Sequence, residues 1–472
     1  MESLSIEENL EVKSNNDQKP LNSYTSLIEA IGFCDKTWMI FSIANLLQFL
    51  WGCEVCVIAL YLEKLGNYFN IKQSIISLSV CLLYSMLGLG SIIVGTISKY
   101  YARKPCLLIS TIVYFLFTFS CSFLSNFYVI VLFRCISNIS IGIFNILALN
   151  LLCEYLPISS RSYYLMFDSG FYNVGTLWAV LVKICFPQND TFSFATYKIV
   201  NMITCLPSLI GVGLILWKTT ESPLYLMAKS NKYDEAFKLL AEMGRSKNIE
   251  LTEDVKKDLK KEVIRKKNFK LKSNYSELFY PEYRNLTLLC LLINSICYLN
   301  MIGISYLVPK MIQDSQAKQF LSENVQLIIF ALIQIPNGPI GGLMTESHFF
   351  GRRKTIIVSS FFCAVFYVCI YINRINLCYY SGVIMFFNSI AFGCAFIYVS
   401  EVFPTNIRDQ AQSFIQFLSF IFGSWSPYFI DYIGKSNLVN NNLYLGASCL
   451  LCILLSVILP LDTLNRPLDD DL

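Results

Sequence analysis

Glu154-Tyr155-Leu156-Pro157-Ile158-Ser159-Ser160-Arg161 and Glu401-Val402-Phe403-Pro404-Thr405-Asn406-Ile407-Arg408 are two copies of one octet, E-x-x-P-x-x-x-R, set 247 positions apart. Each follows a long apolar run. A second pair, Ala102-Arg103-Lys104 and Gly351-Arg352-Arg353-Lys354, lies a similar distance apart, and a weaker third pairs Glu221-Ser222-Pro223 with Asp462-Thr463. One such match arises readily by chance, but three in register mark a chain built from two related halves.

Working outward from the octets, the apolar residues fall in blocks of about twenty, the length a helix needs to cross a ~30 Å hydrocarbon core. The runs lie near 37–60, 75–97, 105–125, 127–152, 164–186 and 200–218, then 285–308, 324–345, 355–373, 377–400, 410–431 and 442–460. Composition agrees: of 472 residues 55% are hydrophobic and only 15% charged, less charge than a soluble chain carries. The expected fold is an all-α membrane protein of twelve transmembrane helices in two pseudo-symmetric six-helix bundles. Its expected parts are a cytosolic tail 1–36, a bundle 37–218, a cytosolic linker 219–284, a bundle 285–460 and a cytosolic tail 461–472. Internal symmetry of this kind is the mark of two-halved transporters.

Orientation follows from the basic residues of short loops. Lys99, Arg103 and Lys104 follow the second span, Arg161 the fourth, Arg352, Arg353 and Lys354 the eighth, and Arg408 the tenth. Even-numbered spans should therefore end in the cytosol. The linker is rich in Lys and Arg interleaved with acids, and Ala236, Phe237, Leu239, Leu240 and Met243 are spaced for a short amphipathic helix. A solvated linker is the alternative.

Several classes are excluded. A net charge of +4, with the basic residues gathered in the linker, does not suit nucleic acid. The eighteen cysteines sit mainly inside apolar runs, as Cys53, Cys135 and Cys394 do, and read as small core residues. One histidine, His348, and no CxxC or HExxH spacing leave no metal site, no cofactor is implied, and no nucleophile, base and oxyanion set suggests an enzyme. The polar first thirty or so residues show no short apolar core followed by a small-residue cleavage site, so no removable signal peptide is expected and the first span is expected to target the chain.

The motifs resemble the major facilitator superfamily, in the sugar-porter-like and organic-ion-transporter-like branch that includes the synaptic vesicle 2-related proteins. The residues carrying the likeness are Glu29-Ala30-Ile31-Gly32-Phe33, Glu54, Arg134, both octets, Glu221-Ser222-Pro223, Tyr398 to Arg408 and Leu459-Pro460-Leu461-Asp462-Thr463. Short loops at 61–74 and 309–323 fit the compact synaptic vesicle 2-related type. Against the family's G-x-x-x-D-R-x-G-R-R/K loop, Gly95 is kept, but Lys99 replaces the acid and Ala102 the glycine; the second copy has His348 at the acidic position. Trp51 stands for an acid three residues before Glu54, Asn138 and Ser140 for glycines, and Gln334 for an acid in the eighth span.

The resemblance implies a central cavity lined by spans 1, 4, 7 and 10. Polar residues there are candidate solute contacts: Asn45, Gln48 and Glu54; Arg134, Asn138 and Asn145; Asn294 and Asn300; Asn388 and Tyr398. A charge at the bilayer centre costs roughly 2.5–3.5 kcal/mol even on permissive scales, so Glu54 and Arg134 must face protein or water, where Glu54 is the candidate for proton coupling. The amides serve equally as interhelical hydrogen-bond glue. Trp51, Tyr84, Phe171, Tyr172, Trp425 and Tyr428 are candidate stacking residues. Of the sequences matching a glycosylation acceptor, only Asn189-Asp190-Thr191 has an extracellular placement. At the cytosolic face Arg103, Lys104, Glu154, Arg161, Arg352, Arg353, Glu401 and Arg408 form either a gate of charge-assisted pairs or a set of loop anchors.

The sequence therefore predicts movement of a small organic solute across a bilayer by alternating access, with a proton as candidate coupling ion, in a plasma or vesicle membrane. Its rival is a transport-inactive binding or receptor protein of the same shape.

Overall fold

In the computed structural model, the residues described are 24–98, 100–186, 193–228, 232–245, 255–261, 275–315, 322–372, 377–404, 407–433 and 440–460. Lys99, the Asn189 acceptor, Asp462 and Thr463 lie outside them. Within hydrocarbon every backbone N–H and C=O must find its partner inside the chain, and the apolar runs do so as helices. Among the described residues, ten helical segments are long and apolar enough to cross a membrane. Two more complete the twelve: span 3, Arg103–Ser120, and span 11, Arg408–Ser424 continued by Ser426–Ile433. Both open on charges, Arg103 and Lys104 in one and Arg408 and Asp409 in the other, which lowers their mean hydropathy.

Among the described residues, three spans are broken, each beside a proline whose missing N–H and ring interrupt the ladder. Span 6 divides into Phe194–Cys205 and Pro207–Lys218, span 8 into Glu323–Gln334 and Asn337–Glu346 after Pro336, and span 11 at Trp425 just before Pro427. Pro309 is carried inside span 7, Pro281–Ser315.

The halves repeat one packing plan. Span 1 (Asp35–Tyr68) packs on span 5 (Arg161–Cys185) as span 7 packs on span 11. Span 4 (Phe127–Tyr155) packs on spans 2 (Gln73–Ile97) and 3 as span 10 (Leu377–Val402) packs on spans 8 and 9 (Gly351–Ile372). The halves meet through 2 against 11 and 5 against 8, the same pair twice. Glycines bring these crossings close: a Cβ on Gly88 would lie 2.7 Å from the Phe417 carbonyl oxygen, and one on Gly170 would lie 2.9 Å from the Cα of Gly338.

In the linker, Tyr233–Gly244 is a helix with Ala236, Leu239, Leu240 and Met243 buried, and Glu242 pairs with Lys36 at the start of span 1. The Lys36 ammonium holds the Glu242 carboxyl below its usual range.

Candidate solute cavity and its two closures

The halves enclose a cavity between them. Span 1 supplies Gln48 and Trp51 and span 4 supplies Asn145, as the sequence suggested; span 5 adds Ser169 and Tyr172. From the other half come Ser389, Phe392 and Phe396 of span 10 and Gln416 and Phe420 of span 11. The wall is mostly apolar, with amides from both halves. Gln48 Nε2 donates to Asn145 Oδ1 at 2.9 Å, which joins spans 1 and 4 behind the cavity. Trp51, at the position where the resembled family has an acid, lies edge-on to Tyr172 and to Phe420, linking the halves by aromatic contact.

None of Glu54, Arg134, Asn138, Asn300, Asn388 and Tyr398 belongs to this wall. Glu54 and Arg134 form a fully buried ion pair at 2.5 Å, and Arg134 also donates to Asn201 Oδ1 at 2.7 Å and to the Tyr197 hydroxyl at 3.3 Å. Asn138 donates to its own helix at Arg134 O, Asn300 to Ile296 O and Ser448 Oγ, and Asn388 to Cys297 O on span 7. Tyr398 is packed in the core of the second half. Of the span 5 and span 11 contributors, Tyr172 was among the candidate stacking residues, whereas Ser169, Gln416 and Phe420 needed the knowledge of which helix face turns inward.

The octets form one local geometry twice. Arg161 Nη2 donates to the Leu156 carbonyl and Arg408 Nε to the Phe403 carbonyl, each at 3.4 Å and each five residues back. The octet glutamates pair not with their own octet's arginine but with the arginine of the preceding even-numbered span's loop: Glu154 pairs with Arg103 at 2.7 Å, and Glu401 with Arg352 through two 3.0 Å hydrogen bonds. These pairs lie within their halves. The bridge between halves is Ser162, which donates to Glu401 Oε1 at 2.8 Å and accepts from Arg352 Nη2 at 2.6 Å. Glu346 of span 8 also accepts from the Tyr163 amide at 3.0 Å. Lys104 and Arg103 present their backbone N–H groups to Glu221, which caps the start of span 3. Arg353 caps the end of span 12, Asn440–Ile458, at the Ser456 carbonyl.

The opposite end is closed as well, by residues the sequence did not single out. Lys310 of span 7 sits between Asp431 of span 11 at 2.9 Å and Glu63 of span 1 at 3.3 Å. Asp431 further accepts from Tyr306, Gln73 and Ser77, the last two on span 2 of the other half. Nearby, Lys183 of span 5 pairs with Glu323 of span 8 at 2.7 Å. Cross-half polar contacts thus stand at both ends of the cavity, an occluded arrangement.

Two pseudo-symmetric helix bundles around a shared cavity define a membrane protein of the transporter type. The comparisons agree: the profile of the family described as Sugar (and other) transporter matches residues 13–470, and the chain belongs to that family, within the major facilitator superfamily. It is therefore not an enzyme. The synaptic vesicle 2-related protein of Bos taurus is 22% identical over 94% of this chain and 81% of its own. The niacin transporter NiaP of Acinetobacter baylyi is 22% identical, over 68% of this chain and 70% of its own. The human synaptic vesicle glycoprotein 2A is 21% identical over 70% of this chain, and that match takes in 50% of its own length. Among solved structures, the inward-open xylose transporter XylE from E. coli superimposes with a TM-score of 0.71 at 16% identity, covering 92% of this chain and 98% of that one. The proton:xylose symporter XylE bound to 6-bromo-6-deoxy-D-glucose gives 0.70 at 17%, over 90% and 96%.

Proposed function

We propose that the chain moves a small, flat and largely apolar organic solute, an organic ion or related metabolite, by rocking of 37–218 against 285–460 about the central cavity. The observation that carries this reading is a cavity walled by both halves and flanked at both ends by contacts that cross between them. Aromatic faces at Trp51, Tyr172 and Phe420 suit a planar solute, and Gln48, Asn145 and Gln416 suit a few hydrogen-bonding groups on it better than a ring of hydroxyls. A relative named as a niacin transporter supports the same solute class. Glu154, Arg161, Arg103, Lys104, Arg352, Arg353, Glu401 and Arg408 would form the gate on the cytosolic face, and the names of the synaptic vesicle relatives support an intracellular vesicle membrane as location.

Purified protein in sealed vesicles, offered labelled nicotinate and labelled xylose, tests the reading. Saturable nicotinate uptake reduced by Trp51→Ala supports it, and xylose uptake alone refutes the solute class. Trp51 and Gln334 in place of family acids favour one second reading, a transport-inactive binding protein, which requires saturable binding without flux.

A further inference from the structure

Asp168 lies midway along span 5, wholly buried, and neither carboxylate oxygen has a hydrogen-bond partner. It shares a helical stripe with Leu165, Ser169 and Tyr172, which line the cavity. Its neighbour on span 1 is Gln48, itself part of the cavity wall. With Gln48 Nε2 engaged by Asn145, Gln48 Oε1 is left without a donor. Gln48 approaches the carboxylate with its amide N–H side, without closing a hydrogen bond to it.

The polar groups around Asp168 are neutral. On its own helix they are Ser169 and Tyr172, on span 1 Gln48, and on span 8 Asn337, which packs at Gly170 and whose amide atoms are also unpartnered. No charged side chain among the described residues acts on it. An uncompensated ionised carboxylate in such surroundings is costly, and binding one proton removes that cost. Glu54 differs, because Arg134 already neutralises it. Asp168 is also two residues from Gly170, where spans 5 and 8 cross between the halves, so rocking must change its surroundings.

We propose that Asp168 is the proton-binding carboxylate beside the cavity, taking a proton from water when the cavity opens, holding it as a buried neutral carboxyl in the occluded form, and releasing it to water on the other side. The proposal rests on the transport reading for its purpose, but its test needs no solute. Infrared difference spectra of the purified full-length protein should show a carboxylic C=O band at neutral pH that is absent from Asp168→Asn, a near-isosteric change. Gln48→Leu, which removes the neighbouring amide, should shift that band. Spectra of Asp168→Asn that superimpose on the parent overturn the proposal, as does a band indifferent to Gln48→Leu should Asp168→Asn not fold. Flux without the band removes this inference alone, and the band without flux removes only the transport reading.

Discussion

Ser162 Oγ, in the amino-terminal half, donates to Glu401 of the carboxy-terminal half at 2.8 Å, at the basic end of the molecule. This hydroxyl is a point where a small side chain, not an ion pair, joins the halves. A hydrogen bond to a charged group contributes roughly 1.5–3 kcal/mol. Ser162→Ala should therefore shift the equilibrium toward opening at the basic end by about tenfold or more. Glu401→Gln should act in the same direction, since it weakens both the Ser162 bond and the Arg352 pair. The check is the labelling rate, from the basic side, of a cysteine at 416; an unchanged rate in both variants leaves those residues only an anchoring role.

At the other end Lys310 separates two carboxylates, Glu63 and Asp431, that belong to different halves. Lys310→Met leaves like charges facing each other and should open that end. The pair is partly solvated, so the expected penalty is modest, about 1–2 kcal/mol. Adding Glu63→Gln removes one of the two charges and should restore closure in the variant. Opening that persists in the double variant would contradict this account.

Glu54→Gln strands the buried Arg134 charge. Breaking a buried pair costs roughly 3–5 kcal/mol, while replacing both partners with apolar groups of similar volume is often nearly neutral. The single variant should melt well below the parent, and Glu54→Gln with Arg134→Met should recover much of the loss. If the single variant is as stable as the parent and alters only the pH dependence of flux, the pair is a coupling element instead.

The linker helix 233–244 is tied to span 1 through Glu242 and Lys36. Because Lys36 depresses the Glu242 carboxyl, the tie is complete at neutral pH and is lost as pH falls through the lowered value. Hydrogen exchange in 233–244 should quicken on acidification in the parent and be fast at all pH values in Lys36→Met.

Residue 260 should face the cytosol if the basic loops set the orientation. A cysteine placed there should resist impermeant thiol reagents in sealed vesicles whose cytosolic face is inside, and efficient labelling would reverse the topology.

The spans and the repeat were legible because both are chemistry written locally: apolar blocks of bilayer length, and octets whose arginines fold back onto carbonyls five residues away. Partner choice was less so. Glu154 and Glu401 take arginines from about fifty residues upstream, which spacing along one loop does not reveal. The far closure escaped notice because Glu63, Lys310 and Asp431 are single charges at separate helix ends, meaningful only once three helices converge. Asp168 was passed over for the opposite reason: one acid in span 5 has no sequence partner, and its isolation is visible only when its neighbours are placed.

Cross-half contacts at both ends of the cavity also bear on the membrane around the protein. A passage open at one end at a time never becomes a continuous water column, and here neither end stands open. In this closed form the molecule is an electrical insulator, and a bilayer holding many copies of it keeps its voltage and its ion gradients.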